Sequence, residues 1–274
     1  MSTVTLCQLG RSTIIENVGE RIRSRGPEID IVIPVTRKDW PCLSLTIAST
    51  LNKLRHRIRK IHVIASERPR LSHGLHFGRI VFWDEREVAP IRKAAINYRP
   101  EGVDRAGWLF QQLLKLACDE FCECDHILAL DADTVFMRTQ RLVKKGRSVL
   151  NVSQERHEPY YRVVRKLLPG IRIFPFSFVS HHMLFTKEYL RGLKQKLQRS
   201  GKRWFEAILD AVELEEMSGF SEYELYGNYV AFRHPQSVLI EHSLNQSFAS
   251  RRIRRLWHIK LRHPLIKSAS FHCR

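Results

Sequence analysis

The chain has 274 residues, enough for one sizeable hydrophobic core, and its 43% hydrophobic content is ordinary for a globular protein. Its charge is not ordinary: 46 Lys and Arg against 28 Asp and Glu give a formal net charge of +18 and a pI of about 10.1. Such a field disfavours cationic partners and selects anionic ones: nucleic acid, acidic lipid, or phosphorylated and acidic-sugar ligands.

Residues 1–27 are polar, carry Arg21, Arg23 and Arg25, and break at Gly26-Pro27, which predicts an extension before the core. IDIVIPV (29–35) reads as a buried strand. Thr36-Arg37-Lys38-Asp39 follows, and Trp40-Pro41 opens a helix to about Leu54, with proline in the first turn where it is tolerated. IHVIAS (61–66) and RIVFWD (79–84) predict two further strands. Leu109, Leu113, Leu116 and Ala117 recur at helical spacing over 106–121. The apolar run 127–130 predicts a strand ending in Asp131, and SVLNVS (148–153) another. Strand and helix thus alternate, the pattern of a doubly wound α/β sheet.

The second half is less regular. FVSHHMLF (178–185) predicts a strand; 187–198, 204–217 and 221–232 predict helices. From Arg251 to Arg274 there are eight Lys or Arg and no acid. Within it, RRIRRLWHIKLRH (251–263) interleaves Ile253, Leu256, Trp257, Ile259 and Leu261, as in a basic amphipathic segment for a membrane surface; a solvated tail is the plainer alternative. The expected organisation is an extension (1–27), one domain (28–240) and a basic tail (241–274). No apolar run reaches the roughly 18–20 residues of a membrane span, and the N-terminus lacks the charged start and apolar core of a secretory signal. A cytoplasmic protein, peripheral to the plasma membrane, is expected. Six scattered cysteines suit a reducing compartment.

Four motifs carry chemistry. Asp131-Ala132-Asp133 places two carboxylates at the carboxyl end of a buried strand, where open α/β sheets bind ligands. Mg²⁺ and Mn²⁺ favour such oxygen donors together with substrate phosphates; the alternative is a pair of turn or capping acids. In GWLFQQLLKL (107–116), Trp108, Gln111, Gln112 and Lys115 recur on one side of a helix, able to meet a nucleotide or sugar phosphate, or simply solvated. In SHHMLF (180–185), His181 and His182 offer imidazole for ligation or proton transfer, but on a strand only one faces the site. In SEYELYGNY (221–229), Glu222 and Glu224 sit among aromatic residues; one could serve as a base, while Ser221 and Glu224 have capping-box spacing.

These motifs, in this order, resemble the GT-A class of nucleotide-sugar glycosyltransferases, closest to a bacterial group, from about Asp30 to Phe232. The resemblance implies a GT-A-like, Rossmann-type mixed sheet flanked by helices. It implies Thr36 and Arg37 near the nucleoside, and Asp131 and Asp133 on Mn²⁺ or Mg²⁺ with His182 or His242 completing the shell. Lys115 and Arg37 would hold the diphosphate, and Glu222 would be the base if the reaction inverts. A natural setting is bacterial lipopolysaccharide or capsule assembly on a lipid-linked acceptor. Two other classes stay open: a basic nucleic-acid binder or metal-dependent nuclease, and a non-catalytic membrane-surface scaffold. No helix-turn-helix, zinc-finger or RNP signature supports the first, so no nucleic-acid partner is expected. A dinucleotide oxidoreductase is disfavoured because no G-x-G-x-x-G follows the first strand.

Overall fold

The computed structural model describes residues 26–72, 77–198, 201–249 and 256–272. The extension expected over 1–27 therefore falls almost wholly outside the described residues, as does the 251–255 part of the basic segment. In chain order the first half comprises β1 (Glu28–Pro34), α1 (Trp40–Lys53), β2 (Arg57–Ala65), β3 (Ile80–Asp84), α2 (Glu85–Val88), α3 (Ala106–Leu116), β4 (His126–Leu130), β5 (Thr134–Phe136), β6 (Val143–Lys144) and β7 (Arg147–Val152). There follow α4 (Glu158–Leu167), β8 (His182–Thr186), α5 (Lys187–Leu197), α6 (Trp204–Ala211), α7 (Glu222–Arg233), β9 (Val238–His242), β10 (Asn245–Ala249), α8 (Leu256–Arg262) and β11 (Ser268–His272).

The central sheet has the order β3-β2-β1-β4-β8. β1 pairs in parallel with β2 and β4, and β2 with β3, while β8 runs antiparallel to β4. Strands covered on both faces must be apolar throughout, which explains the runs at Ile31–Ile33 and Ile127–Leu130. Alternation divides their side chains. Ile29, Ile31, Ile33, Leu128 and Leu130 pack with Leu43 and Ile47 of α1. Val32, Ile127 and Ala129 pack on the other face with Leu109 and Leu113 of α3 and with residues of α5, α6 and α7. The expected α/β architecture is present, and the antiparallel edge strand β8 makes its sheet mixed, as expected.

Two three-stranded sheets flank this layer, β10-β11-β5 and β6-β7-β9. β11 lies between β10, to which it is parallel, and β5, to which it is antiparallel. Ala269 and Phe271 are fully buried against Cys42, Val135, Met137, Phe248 and Ile259. Residues 268–272 are thus a central strand of a sheet and not a solvated tail, because their alternating small and aromatic side chains find a pocket beside α1.

Two expected elements are shorter than their apolar patterns. The helix expected over 204–217 ends at Ala211, where Val212 is extended. The strand expected over 178–185 begins only at His182. The preceding loop is held by Glu224 of α7, whose Oε1 accepts from Ser177 Oγ (2.5 Å), the Phe178 amide (3.0 Å) and Tyr161 OH (3.1 Å). Asn228 Nδ2 donates to Oε2 (3.0 Å). The same loop crosses α7 at Gly227, where a Cβ would lie 2.3 Å from Phe178 Cγ. Gly227→Ala is therefore expected to destabilise the fold by about 1–3 kcal/mol through overpacking, read as a lower urea midpoint; an unchanged midpoint would show that the loop does not press on α7.

Candidate functional site

β4 ends at Leu130, so Asp131-Ala132-Asp133 is a turn leading into β5 and not a strand end with alternating side chains. Its backbone is fixed from three sides. The Asp131 amide donates to His181 O (3.0 Å), Thr46 Oγ1 of α1 donates to Ala132 O (2.8 Å), and the Phe271 amide of β11 donates to Asp133 O (3.0 Å). Such fixing gives the carboxylates a defined direction before any ligand arrives.

Asp131 points into a buried polar network. Its Oδ1 accepts from Lys115 Nζ and from Tyr223 OH (2.9 Å), and its Oδ2 from His181 Nδ1 (3.1 Å). Lys115 Nζ also donates to Glu222 Oε1 (2.7 Å) and Tyr223 OH (3.1 Å). Lys115 is only 7% exposed and Glu222 only 2%. Burial opposes ionisation of both Lys115 and Asp131. Their mutual attraction outweighs it, holding the Asp131 carboxyl well below the usual range and Lys115 well above its own. Burial pushes Glu222 and the Tyr223 phenol up. His181 is also burdened by burial, but the Asp131 carboxylate raises its pKa. Its backbone is left-handed, φ 61°, a conformation uncommon for residues other than glycine and often found at functional positions.

Asp133 points to the other side of the turn. Its Oδ2 lies 3.3 Å from Nδ1 of the half-exposed His272, whose ring is 5.5 Å from that of His181. Between these groups opens a cleft of about 270 Å³. Its lining includes Trp108, Gln111, Gln112 and Lys115 from α3 and Lys38 and Asp39, before α1. Tyr160, Glu222 and Tyr223 also line it, as does the exposed Glu155. Burial, and next the neighbouring acids Asp133 and Asp131, raise the Asp39 carboxyl, while the Thr36 hydroxyl donates to it (2.7 Å). Gln112 accepts from the Glu222 amide (3.3 Å), and its buried Nε2 has no partner among the described residues.

The structure gathers Trp108, Gln111, Gln112, Lys115, Asp131, Asp133, His181 and Glu222 around one cleft. It places four other candidates elsewhere, and puts Thr36 behind Asp39. Arg37 is exposed and paired with Glu67 (2.5 Å), outside the cleft. Glu224 is a core residue binding the 177–178 loop. His182 faces the opposite side of β8, against Asn151 Nδ2 (3.2 Å) and the Phe136 ring. His242 is exposed on β9 and does not line the cleft. Lys38, Asp39, Glu155, Tyr160, Tyr223 and His272 are cleft residues that the sequence did not single out. Lys38 and Asp39 had a usable signal, their place directly after the first strand. His272 had none, since only the return of β11 brings it to the turn.

Asp133 and His272, 3.3 Å apart, offer a carboxylate and an imidazole at the cleft, with the Asp131 carboxylate two residues before Asp133 on the same turn, donor types suited to Mn²⁺ or Mg²⁺. A second grouping, Asp30, His62 and Cys122, brings its ligand atoms within 4.8 Å of one another, but its chemistry is wrong. Trp83 Nε1 donates to His62 Nδ1 (2.9 Å), which leaves the proton on Nε2, 3.8 Å from Asp30 Oδ1. A metal on Nε2 would force a proton onto Nδ1, against the indole N–H. Asp30 already accepts from the amides of Glu123 (2.8 Å), Cys124 (2.9 Å) and Lys60 (3.2 Å), and burial keeps the Cys122 thiol protonated. This grouping joins β1, β2 and the segment before β4.

Residues 77–258 match the profile of a family of unknown function, DUF6492, and the chain belongs to that family. No curated protein matches it in sequence. Among solved structures it is similar to mouse xyloside xylosyltransferase 1 in its apo form, with a TM-score of 0.52 and 14% identity over 90% of this chain and 98% of that one. It is also similar to the galactosyltransferase LgtC in complex with donor and acceptor sugar analogs. There the TM-score is 0.45 and the identity 15%, over 89% of this chain and 86% of that one. The fold is of the GT-A type, with a mixed sheet flanked by helices.

Removing Lys115 leaves the buried Glu222 without its counter-charge and Asp131 with His181 alone. Lys115→Ala is expected to lose on the order of 3–5 kcal/mol in chemical denaturation; a loss below about 1 kcal/mol would mean the network is solvated. Burial lowers His182 and His56 from 6.5 to about 4 in the fold, so both are neutral there while the unfolded chain protonates first. Their contribution is complete above pH 6.5 and declines as pH falls towards about 4. The slope of stability over that window is expected to be shallower in His182→Gln; equal slopes would show that His182 titrates alike in both states.

Proposed function

We propose that this chain is a divalent-metal-dependent glycosyltransferase that moves a sugar from a nucleotide-sugar donor to a glycan or lipid-linked acceptor. The observation that carries this is the convergence of Asp131, Asp133 and His272 with Lys115, His181 and Gln112 on one cleft beyond the carboxyl ends of β1 and β4. That is where an open α/β sheet binds its ligand, and the reading is supported by the Asp131-Ala132-Asp133 spacing, which resembles the metal-binding D-x-D of GT-A enzymes.

Asp133 and His272, with Asp131 beside them, would hold the ion, which when bound supplies positive charge to a departing diphosphate. Lys115 adds fixed positive charge along the wall behind it, and His181, hydrogen-bonded to Asp131, stands beside it. Lys115 cannot swing away freely, because Asp131, Glu222 and Tyr223 occupy its three donors. Glu222 is committed to that ammonium and serves here to position it. Glu155 is the exposed cleft carboxylate without an ion-pair partner among the described residues, able to take a proton from an acceptor hydroxyl. The unpaired Gln112 amide offers a hydrogen bond to a donor hydroxyl. Trp108 and Tyr160 offer aromatic faces to a sugar ring.

We place the reaction in bacterial surface polysaccharide or lipopolysaccharide assembly, on the cytoplasmic face of the membrane. This setting is supported by the net charge of +18, and by Leu261 and Leu265, 69% and 74% exposed beside Lys260 and Arg262. Among the described residues no helix is long and apolar enough to cross a membrane.

Thermal stability measured against a panel of nucleoside diphosphates and nucleotide sugars, with and without Mn²⁺, tests the donor site. Saturation at a hundred times Kd should stabilise the native state by about 2.7 kcal/mol. The expected result is a Mn²⁺-dependent rise with one base, abolished in Asp133→Ala and His272→Ala and retained in His242→Ala. Absence of any rise, or a rise that survives Asp133→Ala, would overturn the assignment.

A further inference from the structure

A second cavity, about 610 Å³, shares no lining residue with the Asp131–Asp133 cleft. Its size lies within the roughly 300–1,000 Å³ of small-ligand sites. It forms where the end of α1, the segment joining β5 to β6, and Lys267 meet. Its lining carries Arg55, Arg141, Lys144 and Lys267 against a single carboxylate, Glu241. Glu241 is taken by two of them, Lys144 at 2.5 Å and Lys267 at 3.6 Å. Arg55 and Arg141 have no acidic partner among the described residues.

The two arginines are carried on stitched backbone. The Gln140 amide donates to Lys53 O (2.8 Å) and the Arg55 amide to Gln140 O (2.9 Å). The Leu142 amide donates to His56 Nε2 (2.8 Å), and Gln140 Nε2 to Lys267 O (3.3 Å). Two guanidinium groups with no acidic partner among the described residues thus line one cavity, carried on backbone that is held together. Like charges in a partly enclosed space repel, and an oxoanion relieves that repulsion while accepting bidentate hydrogen bonds from the guanidinium forks.

We infer that this cavity is a second ligand site, specific for an oxoanion (phosphate or carboxylate) and distinct from the Asp131–Asp133 cleft. It requires no transferase activity and stands whether or not the donor-site assignment holds. The group is carried either by a soluble ligand or by an anionic lipid headgroup.

Pyrophosphate titration in metal-free buffer, against chloride at equal ionic strength, tests it by thermal shift and calorimetry. Wild type and Asp133→Ala should bind alike, and the double variant Arg55→Gln/Arg141→Gln at least ten-fold more weakly. Arg141→Glu, an exposed position, gives a second variant whose folding is not in question and which should also lose binding. Unaltered affinity in both variants, or a pyrophosphate effect no larger than that of chloride, would overturn the site. Sedimentation with phosphatidylglycerol and phosphatidylcholine vesicles assigns the source. Loss of phosphatidylglycerol binding in the double variant identifies a lipid headgroup. Retained vesicle binding with lost pyrophosphate binding identifies a soluble ligand.

Discussion

The buried ammonium of Lys115 is the interaction on which the rest of the site depends. It joins α3, the turn after β4 and the start of α7 through Asp131, Glu222 and Tyr223. Isolating one charge from water costs several kcal/mol, and a buried pair repays this only when its remaining hydrogen bonds are satisfied. Here Asp131 is satisfied on both oxygens, by Lys115 and Tyr223 on one and His181 on the other. Such a network contributes geometry more than stability: it sets where the helix walls stand relative to the two carboxylates.

The second constraint is the way the turn is clamped from outside the central sheet. α1 holds Ala132 through Thr46 and β5 through Ser49, whose Oγ accepts from the Phe136 amide (3.1 Å). β11 holds Asp133 and delivers His272 to it. Residues 268–272 thus complete a cleft founded on the strands β1 and β4. The burial of Ala269 and Phe271 is what makes that delivery firm. Asp131 faces inward to fixed charges and Asp133 outward to the cleft, so two acids one residue apart have different tasks.

Much of this was legible in local pattern. The apolar run at 127–130 announced a buried strand, and the acid pair directly after it falls on the turn that lines the cleft. Helical spacing put Trp108, Gln111, Gln112 and Lys115 on one face, and they share the cleft. The rest depended on information that local pattern lacks. Strand alternation could not choose between His181 and His182; the left-handed backbone at His181 and the start of β8 at His182 decide it. Glu222 and Glu224 looked alike, but the Ser221 cap turns α7 so that one faces Lys115 and the other the 177–178 loop. Arg37 looked like a phosphate ligand, yet the 3-10 turn at Arg37–Asp39 directs Lys38 and Asp39 to the cleft and Arg37 to Glu67. His272 is set by pairing across most of the chain, which no short window contains.

The central claim is that the clamped turn is a metal and diphosphate site. Diffraction from crystals soaked with Mn²⁺ and a nucleoside diphosphate, recorded at the manganese absorption edge, tests it most directly. The account predicts an anomalous peak bounded by Asp131, Asp133 and His272, with the diphosphate lying along the Lys115–His181 wall. A peak confined to Asp30, His62 and Cys122, or a nucleotide bound away from this cleft, would contradict it.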